Sequence, residues 1–204
     1  MKRFFGETNT LWPSLRNRLH IYVLPEPALV SALMERQVAL HGVGYCSTQP
    51  PEFLHATVQQ FGLSRDEVAS EQLDRFVAKL QDLAARTAPF AVQLGEPVAE
   101  DFALGSSCAG TAGWTRMLEG VRTAAKESLS AGVPLPDAPA RPHISLGYGL
   151  ADGSTEAVQQ AVDAVAGEPL PALAISELVL LAVHQDPEQG HFTWDELTRV
   201  PLAG

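Results

Sequence analysis

Two four-residue segments of the sequence carry the same pattern of side chains: a histidine, any residue, a hydroxyl residue and an apolar residue. The first is His55–Val58, and the second, 88 positions further along, is His143–Leu146. In a β-strand, alternate side chains point to opposite faces, so each segment would present its imidazole and its hydroxyl on one face. Two such strands facing one pocket would offer two imidazoles and two hydroxyls, a set suited to metal-free chemistry on a phosphate ester.

A third segment, His191–Trp194, has the same pattern. It directly follows the turn-forming run 186–190, so we predict that it opens the return strand of a C-terminal hairpin. We therefore take His55 and His143 as the candidate catalytic pair, and Thr57 and Ser145 as the candidate phosphate-binding hydroxyls. The remaining histidines show no metal-ligand spacing, so we expect neither a metal site nor a cofactor.

The elements that must position these residues alternate between strands and helices. Ser64 and Glu67 form a capping-box pattern at the start of one helix, and Ser154 is the predicted cap of another. Strands are predicted at residues 18–24, 53–60, 90–94, 102–104, 141–148, 173–183 and 191–200, and helices at 26–40, 64–86, 114–129 and from 154 onward. Residues 90–94 and 102–104 are expected to pair with each other. This order predicts an α+β fold of two β-α-β halves, each with one histidine strand.

Two regions are expected along the 204 residues. Residues 1–17 show no periodicity and are predicted to form a loose N-terminal arm, with Trp12 against the body. Residues 18–204 are long enough for one domain with two lobes. Cys46 and Cys108 have neither a disulfide framework nor zinc spacing, so free thiols are expected.

Composition and charge restrict the partners. Hydrophobic residues make up 46% and charged residues 19% of the chain, and the formal net charge is −10. An acidic surface repels long polyanions, which favours a small phosphorylated nucleotide or an RNA terminus over a nucleic-acid duplex. No apolar stretch has the length of a membrane span, and no signal-peptide core follows Met1–Phe5. A monomeric cytoplasmic protein without membrane contact is therefore expected.

The motifs and their separation resemble those of the 2H phosphoesterase superfamily. The nearest match is the LigT-like family of RNA 2′,3′-cyclic phosphodiesterases, also called 2′-5′ RNA ligases. The resemblance runs from about Arg18 to Val200 and is strongest at His55–Val58 with Phe61-Gly62 and at Pro142–Leu146. It implies a bilobal, pseudo-twofold fold with antiparallel sheets around a central cleft. It also implies metal-independent hydrolysis of 2′,3′-cyclic phosphates by a two-histidine acid–base mechanism, and reverse 2′-5′ ligation.

Two positions depart from the family pattern. The family often has a basic residue a few positions after each motif, where this sequence has Gln59 and Tyr148. Both are candidate substrate contacts, although strict alternation from His143 directs Tyr148 towards the core. Arg141 projects to the same face as His143 and is a candidate for the missing cation. Phe53 alternates onto the cleft face and is a candidate for stacking on a nucleobase.

Several functional alternatives remain open from the sequence. The same chemistry would serve a cyclic oligonucleotide or an ADP-ribose 1″,2″-cyclic phosphate. A nucleotide-binding module without turnover is another class of function, which the departures at Gln59 and Tyr148 keep open. Sequence does not determine which histidine is the base and which is the acid.

Overall fold

A computed structural model of the protein describes residues 1–5, 16–129, 135–139, 141–165 and 167–203. Within these residues the chain forms nine strands and four α-helices, together with 3₁₀ turns at Val38–Leu40, Pro51–Phe53 and Arg65–Glu67. In chain order the elements are β1 (Arg18–Val23), α1 (Pro27–Gln37), β2 (Ala56–Ser64), α2 (Ser70–Ala84), β3 (Phe90–Val92), β4 (Val98–Ala99), β5 (Ala103–Ser107), α3 (Ala112–Ser128), β6 (His143–Tyr148), α4 (Thr155–Ala164), β7 (Leu173–Ile175), β8 (Glu177–Asp186) and β9 (His191–Pro201).

Seven of these strands form one antiparallel sheet in the order β4-β5-β6-β2-β1-β8-β9. The remaining strands, β3 and β7, pair with each other in a small second sheet. Strands mixed with helices and antiparallel pairing confirm the predicted α+β fold. The hairpin predicted at the C-terminus is also confirmed, because β8 and β9 pair along their whole length.

The two histidine strands lie side by side at the centre of the sheet. Among the described residues, β2 and β6 are joined through a single pair, Ala56 opposite Ile144. An antiparallel pair has a local twofold axis, and here the axis relates β1-α1-β2-α2 to β5-α3-β6-α4. On each side the histidine strand pairs with the outer strand of its own half, β1 or β5. The expected pseudo-twofold arrangement is therefore present.

The larger hydrophobic core lies on one face of the sheet. Leu19, Ile21 and Val23 of β1 are buried there, as their alternation predicts. All four helices contribute apolar side chains to the same core, including Leu33, Phe76, Trp114 and Val158, one from each helix. No helix in the described part of the chain is both long and apolar enough to cross a membrane. Because the helices cover one face, the opposite face of the sheet is left for a binding site.

Each histidine strand contains a β-bulge just after its hydroxyl residue. In β2 the register shifts so that Thr57 pairs with Tyr22 while Gln59 pairs with Ile21. In β6 Ser145 pairs with Gly105 while Gly147 pairs with Leu104. An extra residue reverses the alternation beyond it. The fifth residue after each histidine therefore returns to the face of the histidine.

Two expectations about the elements are wrong in detail. Strand β3 does not pair with β5: it pairs with β7, and β5 pairs with Val98–Ala99 as a short hairpin. The capping box of Ser64 and Glu67 is present, but it closes the 3₁₀ turn at Arg65–Glu67. Helix α2 begins only at Ser70.

Residues 1–5, at the start of the predicted N-terminal arm, pack against the body of the protein. Met1 and Phe5 are buried, and the Phe4 N–H donates a hydrogen bond of 2.8 Å to the carbonyl of Gly149. The Phe5 ring contacts Tyr148 at a centroid distance of 5.3 Å. Met1, Phe4 and Phe5 bury apolar surface against the rest of the protein. Three residues are too few to show a periodicity, so the sequence pattern did not predict this packing. Trp12 lies outside the described residues.

The two cysteines are free thiols, as predicted. Cys46 is buried and Cys108 is partly exposed. Burial raises the pKa of the Cys46 thiol to about 11. That thiol is therefore protonated and unreactive near neutral pH.

Gly147, at the β6 bulge, is predicted to tolerate no side chain. A Cβ there would overlap the backbone carbonyl oxygen of Ser47, whereas a Cβ at the exposed Gly44 would meet nothing within 4 Å. We expect Gly147→Ala to lower the free energy of unfolding by about 2 kcal/mol or more, because backbone must shift to admit the methyl group. Gly44→Ala is the matched control and should leave stability nearly unchanged. Urea denaturation of both variants measures the difference, and equal midpoints would contradict the close approach.

Candidate active site

A cleft of about 820 Å³ lies on the face of the sheet opposite the helices. It is lined by side chains from both halves of the molecule, and its centre lies over β2 and β6. The structure brings together here the four residues selected from the two motifs: His55, Thr57, His143 and Ser145. The register around Ala56 and Ile144 makes the two histidines diagonal neighbours. In a regular antiparallel pair, the backbone positions of such neighbours are roughly 7–8 Å apart.

His55 is held on three sides. Its Nδ1 donates a hydrogen bond of 2.8 Å to the carbonyl oxygen of Phe53. Its ring stacks on Tyr22 at a centroid distance of 4.0 Å and an interplanar angle of 9°. The edge of Trp194 meets it at 5.3 Å. With 7% of its surface exposed, His55 has one fixed orientation.

The environment of His55 disfavours its charged form. Burial lowers the pKa of His55 to about 4, the hydrogen bond to Phe53 raises it in part, and the charge of the nearby His143 lowers it. The imidazole is therefore neutral near pH 7. Because a carbonyl oxygen can only accept, the proton of the neutral ring resides on Nδ1. The Nε2 atom then carries a lone pair, as a general base requires.

His143 repeats this arrangement with less burial. Its Nδ1 lies 3.4 Å from the carbonyl oxygen of Arg141, again the residue two positions earlier in the chain. The ring is partly exposed, whereas that of His55 is buried. The two histidines thus share a backbone geometry but differ in contact with solvent.

A buried tyrosine accompanies each motif hydroxyl. Burial raises the pKa of Tyr148 to about 12, against the effect of a hydrogen bond with Ser145. Burial and the neighbouring Tyr148 raise the pKa of Tyr22, and a hydrogen bond with Thr57 opposes this shift. Both phenols are therefore neutral hydrogen-bonding groups that can orient the hydroxyls. The Tyr22 hydroxyl also contacts His20 Nδ1 at 2.8 Å.

Gln59, a candidate substrate contact, does not reach the cleft. The β2 bulge turns its side chain into the interior, where it is fully buried. There its Nε2 donates to the Pro136 carbonyl at 3.1 Å and its Oε1 accepts from Arg122 at 2.6 Å. Gln60 lines the cleft in its place. The twofold equivalent of Tyr148 is therefore Gln60 and not Gln59.

Phe53, the candidate stacking residue, is also not among the described residues that line the cleft. Pro51–Phe53 forms a 3₁₀ turn, and strand pairing begins only at Ala56, so the alternation expected for Phe53 does not apply. Its ring meets the face of Trp194 edge-on at 4.9 Å. Phe53 contributes to the site through its carbonyl oxygen, which accepts the hydrogen bond from His55 Nδ1.

Tyr148 and Arg141 both line the cleft. Alternation misplaces Tyr148, because the β6 bulge returns its side chain to the face of His143. On that face it is buried, as expected, and packs with Phe5 and Phe192 in a second hydrophobic cluster. Arg141 lies on the predicted face. Its guanidinium, however, is paired with Glu100 at 3.3 Å, so its charge is partly neutralised.

Several residues that line the cleft were not predicted from the sequence. His20 and Tyr22 could have been found, since Leu19, Ile21 and Val23 occupy the core face of β1 and leave these two on the other. Three carboxylates at the rim of the cleft lie on loops, which show no periodicity. These rim carboxylates are Glu100, Asp101 and Asp137. Within the described residues, no group of three or more histidine, cysteine, aspartate or glutamate side chains is placed to hold a metal ion.

The family follows from a sequence comparison. A family model described as the 2′-5′ RNA ligase superfamily matches residues 44–187, a range that contains both histidine strands. The chain belongs to the 2′-5′ RNA ligase superfamily. The resemblance to LigT-like 2H phosphoesterases is thereby confirmed, and this membership supports a phosphodiesterase-type activity. A search of curated protein sequences finds no match.

Several solved structures share the fold of this superfamily member. The crystal structure of TT0787 from Thermus thermophilus is 22% identical, with a TM-score of 0.71 over 92% of this chain and 98% of that chain. E. coli LigT complexed with 3′-AMP is 17% identical, with a TM-score of 0.67 over 93% and 99%. E. coli LigT complexed with phosphate is 15% identical, with a TM-score of 0.64 over 94% and 100%.

The low pKa of His55 predicts an unusual titration. We expect the ring of His55 to titrate with a midpoint near 4. An NMR titration of the ring protons measures this midpoint, and the His55→Gln variant identifies which signal belongs to His55. The folded protein binds this proton less readily than the unfolded chain, whose histidines titrate near 6.5. This contribution to stability is therefore complete above about pH 6.5 and is lost as the pH falls towards 4. A midpoint at or above the ordinary value would contradict the burial of the ring.

Proposed function

We propose that this 2H phosphoesterase hydrolyses 2′,3′-cyclic phosphates of small nucleotides or RNA ends, without a metal ion, by acid–base catalysis from His55 and His143. The observation that supports this proposal is the repeated histidine geometry. Each imidazole is hydrogen-bonded through Nδ1 to the carbonyl two residues earlier, and both rings line one cleft on adjacent strands. This arrangement leaves an Nε2 atom on each side of a bound phosphate.

In this proposal His55 is the general base for hydrolysis. Its ring is neutral near pH 7 and its proton resides on Nδ1, so Nε2 accepts the proton of the attacking water. A bond forms between the water oxygen and phosphorus as that proton leaves. General base catalysis of this kind contributes roughly 10²–10⁴-fold.

His143 then serves as the general acid. In its protonated form, it donates the Nε2 proton to the ribose oxygen as the bond between that oxygen and phosphorus breaks. Its partial exposure allows solvent to stabilise the imidazolium charge before transfer. The product is a phosphate monoester on one ribose hydroxyl, with the other hydroxyl free.

Thr57 and Ser145 are proposed to bind the non-bridging phosphate oxygens. Each is next to a neutral tyrosine, Tyr22 or Tyr148, that shares a hydrogen bond with it. Hydroxyls held in this way can donate to oxygens on which negative charge builds in the transition state. The ring of a cyclic phosphate already positions its leaving oxygen, so the proposed reaction needs no metal.

The charge around the cleft favours a small substrate. Among the described residues that line it, Arg141 is the one permanent cation, whereas Glu100, Asp101 and Asp137 are acidic. Repeated phosphates of an RNA strand would meet these carboxylates. The structural neighbour E. coli LigT has been crystallised with 3′-AMP, a mononucleotide with its phosphate on the ribose. We therefore propose a cyclic mononucleotide or a short RNA end as the substrate.

Removal of either catalytic histidine should abolish most of the activity. We expect His55→Ala and His143→Ala each to lower kcat on a 2′,3′-cyclic mononucleotide by roughly 10²–10⁴-fold, because each loses one proton transfer. His191→Ala is the matched control: His191 begins the third segment of the same pattern but is not among the described cleft residues. It should retain normal turnover, and wild-type activity should survive EDTA. Near-normal kcat in a folded His55 or His143 variant would refute the assignment. Nucleotide binding without any product would instead favour the binding-module alternative.

Removal of rim charge should improve the use of longer substrates. We expect Glu100→Gln, which also releases Arg141, to raise kcat/KM for an oligonucleotide with a cyclic phosphate end relative to the mononucleotide. The expected change is roughly fivefold, or about 1 kcal/mol, and should shrink at high salt. Asp74→Asn, on the exposed surface of α2, is the control for net charge. An unchanged ratio, or an equal rise in the control, would contradict selection by the rim.

A further inference from the structure

Gln49 is a polar side chain with no contact to solvent. It lies in the segment between α1 and β2, where its exposure is 0%. Its Nε2 donates to the Phe192 carbonyl at 2.7 Å and to the Phe53 carbonyl at 3.0 Å, and its Oε1 accepts from the Phe192 N–H at 3.1 Å. The amide is thus almost fully hydrogen-bonded to backbone groups of two separate elements.

One of these partners is the carbonyl that holds the catalytic histidine. The Phe53 oxygen accepts from Gln49 Nε2 at 3.0 Å and from His55 Nδ1 at 2.8 Å. A carbonyl oxygen has two lone pairs, so these two donors occupy its full capacity. The same glutamine fixes the backbone of Phe192, whose ring meets His55 edge-on at 6.1 Å. Two features that orient His55 therefore depend on one amide.

We propose that Gln49 is the positioning residue for His55: it fixes the Phe53 carbonyl and thereby keeps the neutral imidazole as the Nδ1–H tautomer. A neutral imidazole whose acceptor moves can place its proton on Nε2 instead, and that tautomer cannot act as a base towards the cleft. Groups that hydrogen-bond one ring nitrogen of a histidine act in this way when they define which nitrogen carries the proton. The role of this tautomer in catalysis rests on the proposed function.

The hydrogen bond from Gln49 supports the carbonyl that holds His55, and no equivalent bond among the described residues supports the carbonyl that holds His143. The Arg141 carbonyl accepts from His143 Nδ1 at a longer distance, 3.4 Å, and no other described side chain is hydrogen-bonded to it. The buried ring proposed as the base therefore has a rigid support. The ring proposed as the acid is left more freedom.

The test replaces Gln49 by a residue of similar shape without an amide. Gln49→Met removes the donor to Phe53, and Gln59→Met is the matched control. Gln59 is equally buried at 0% exposure and its amide is hydrogen-bonded to the Pro136 carbonyl at 3.1 Å and to Arg122 at 2.6 Å, but it is not hydrogen-bonded to Phe53 or Gln49. Both variants lose buried hydrogen bonds, so both should be less stable. Gln49→Asn, whose side chain is one methylene shorter, is a milder second variant.

The decisive measurement is the tautomer of His55, read from ring ¹⁵N chemical shifts at pH 7. Wild type and Gln59→Met should show the Nδ1–H form alone, whereas Gln49→Met and Gln49→Asn should show a share of the Nε2–H form. We expect kcat of Gln49→Met to fall at least about tenfold with KM changed by less than about twofold, since the defect concerns orientation and not binding.

Three results would overturn the proposal. They are an Nε2–H tautomer in the wild-type protein, a pure Nδ1–H tautomer in folded Gln49 variants, and an equal loss of kcat in Gln59→Met and Gln49→Met. The tautomer is measured without substrate, so the positioning role is tested even if cyclic phosphates prove not to be substrates. An inactive wild-type protein would refute the proposed function alone.

Discussion

The site depends on the pairing of β2 with β6 through Ala56 and Ile144. This pair joins two half-sheets into one and carries the local twofold axis. Because side chains alternate along a strand, the residues next to the pair, His55 with Thr57 and His143 with Ser145, all point to the same face. A slip of one residue in this register would direct the histidine and hydroxyl of one motif into the core and their apolar neighbours into the cleft. The fully buried Ala56 and Ile144 on the helix side oppose such a slip.

The β-bulges extend the symmetry beyond the motifs. Each bulge follows the hydroxyl residue and returns the fifth position after the histidine to the cleft, as Gln60 in one half and Tyr148 in the other. The halves therefore offer equivalent positions with different side chains. Different side chains at equivalent positions of the two halves suit a reaction in which the attacking oxygen and the leaving oxygen meet different neighbours.

Much of this organisation could be predicted from sequence, because a period of two is readable without a structure. The α+β class, the closing hairpin and the shared face of each histidine and hydroxyl follow from it. A bulge leaves no mark in that pattern, so alternation alone places Gln59 in the cleft and Tyr148 towards the core. Alternation also misplaces Phe53, since Pro51 starts a turn where the pattern predicts a strand. The rim carboxylates come from loops, whose approach to the cleft is set by tertiary packing.

The difference in burial between the two imidazoles bears on the direction of reaction. In the proposed mechanism, re-formation of the cyclic phosphate from the monoester product passes through the same transition state, but it must start with His55 protonated. With a pKa of about 4, that form of the free enzyme is scarce at neutral pH. In most molecules, His55 is therefore neutral and in the form that the proposed hydrolysis requires. Ring closure would have to draw on a minor population of the enzyme, unless a bound phosphate anion first restores the basicity of the buried ring.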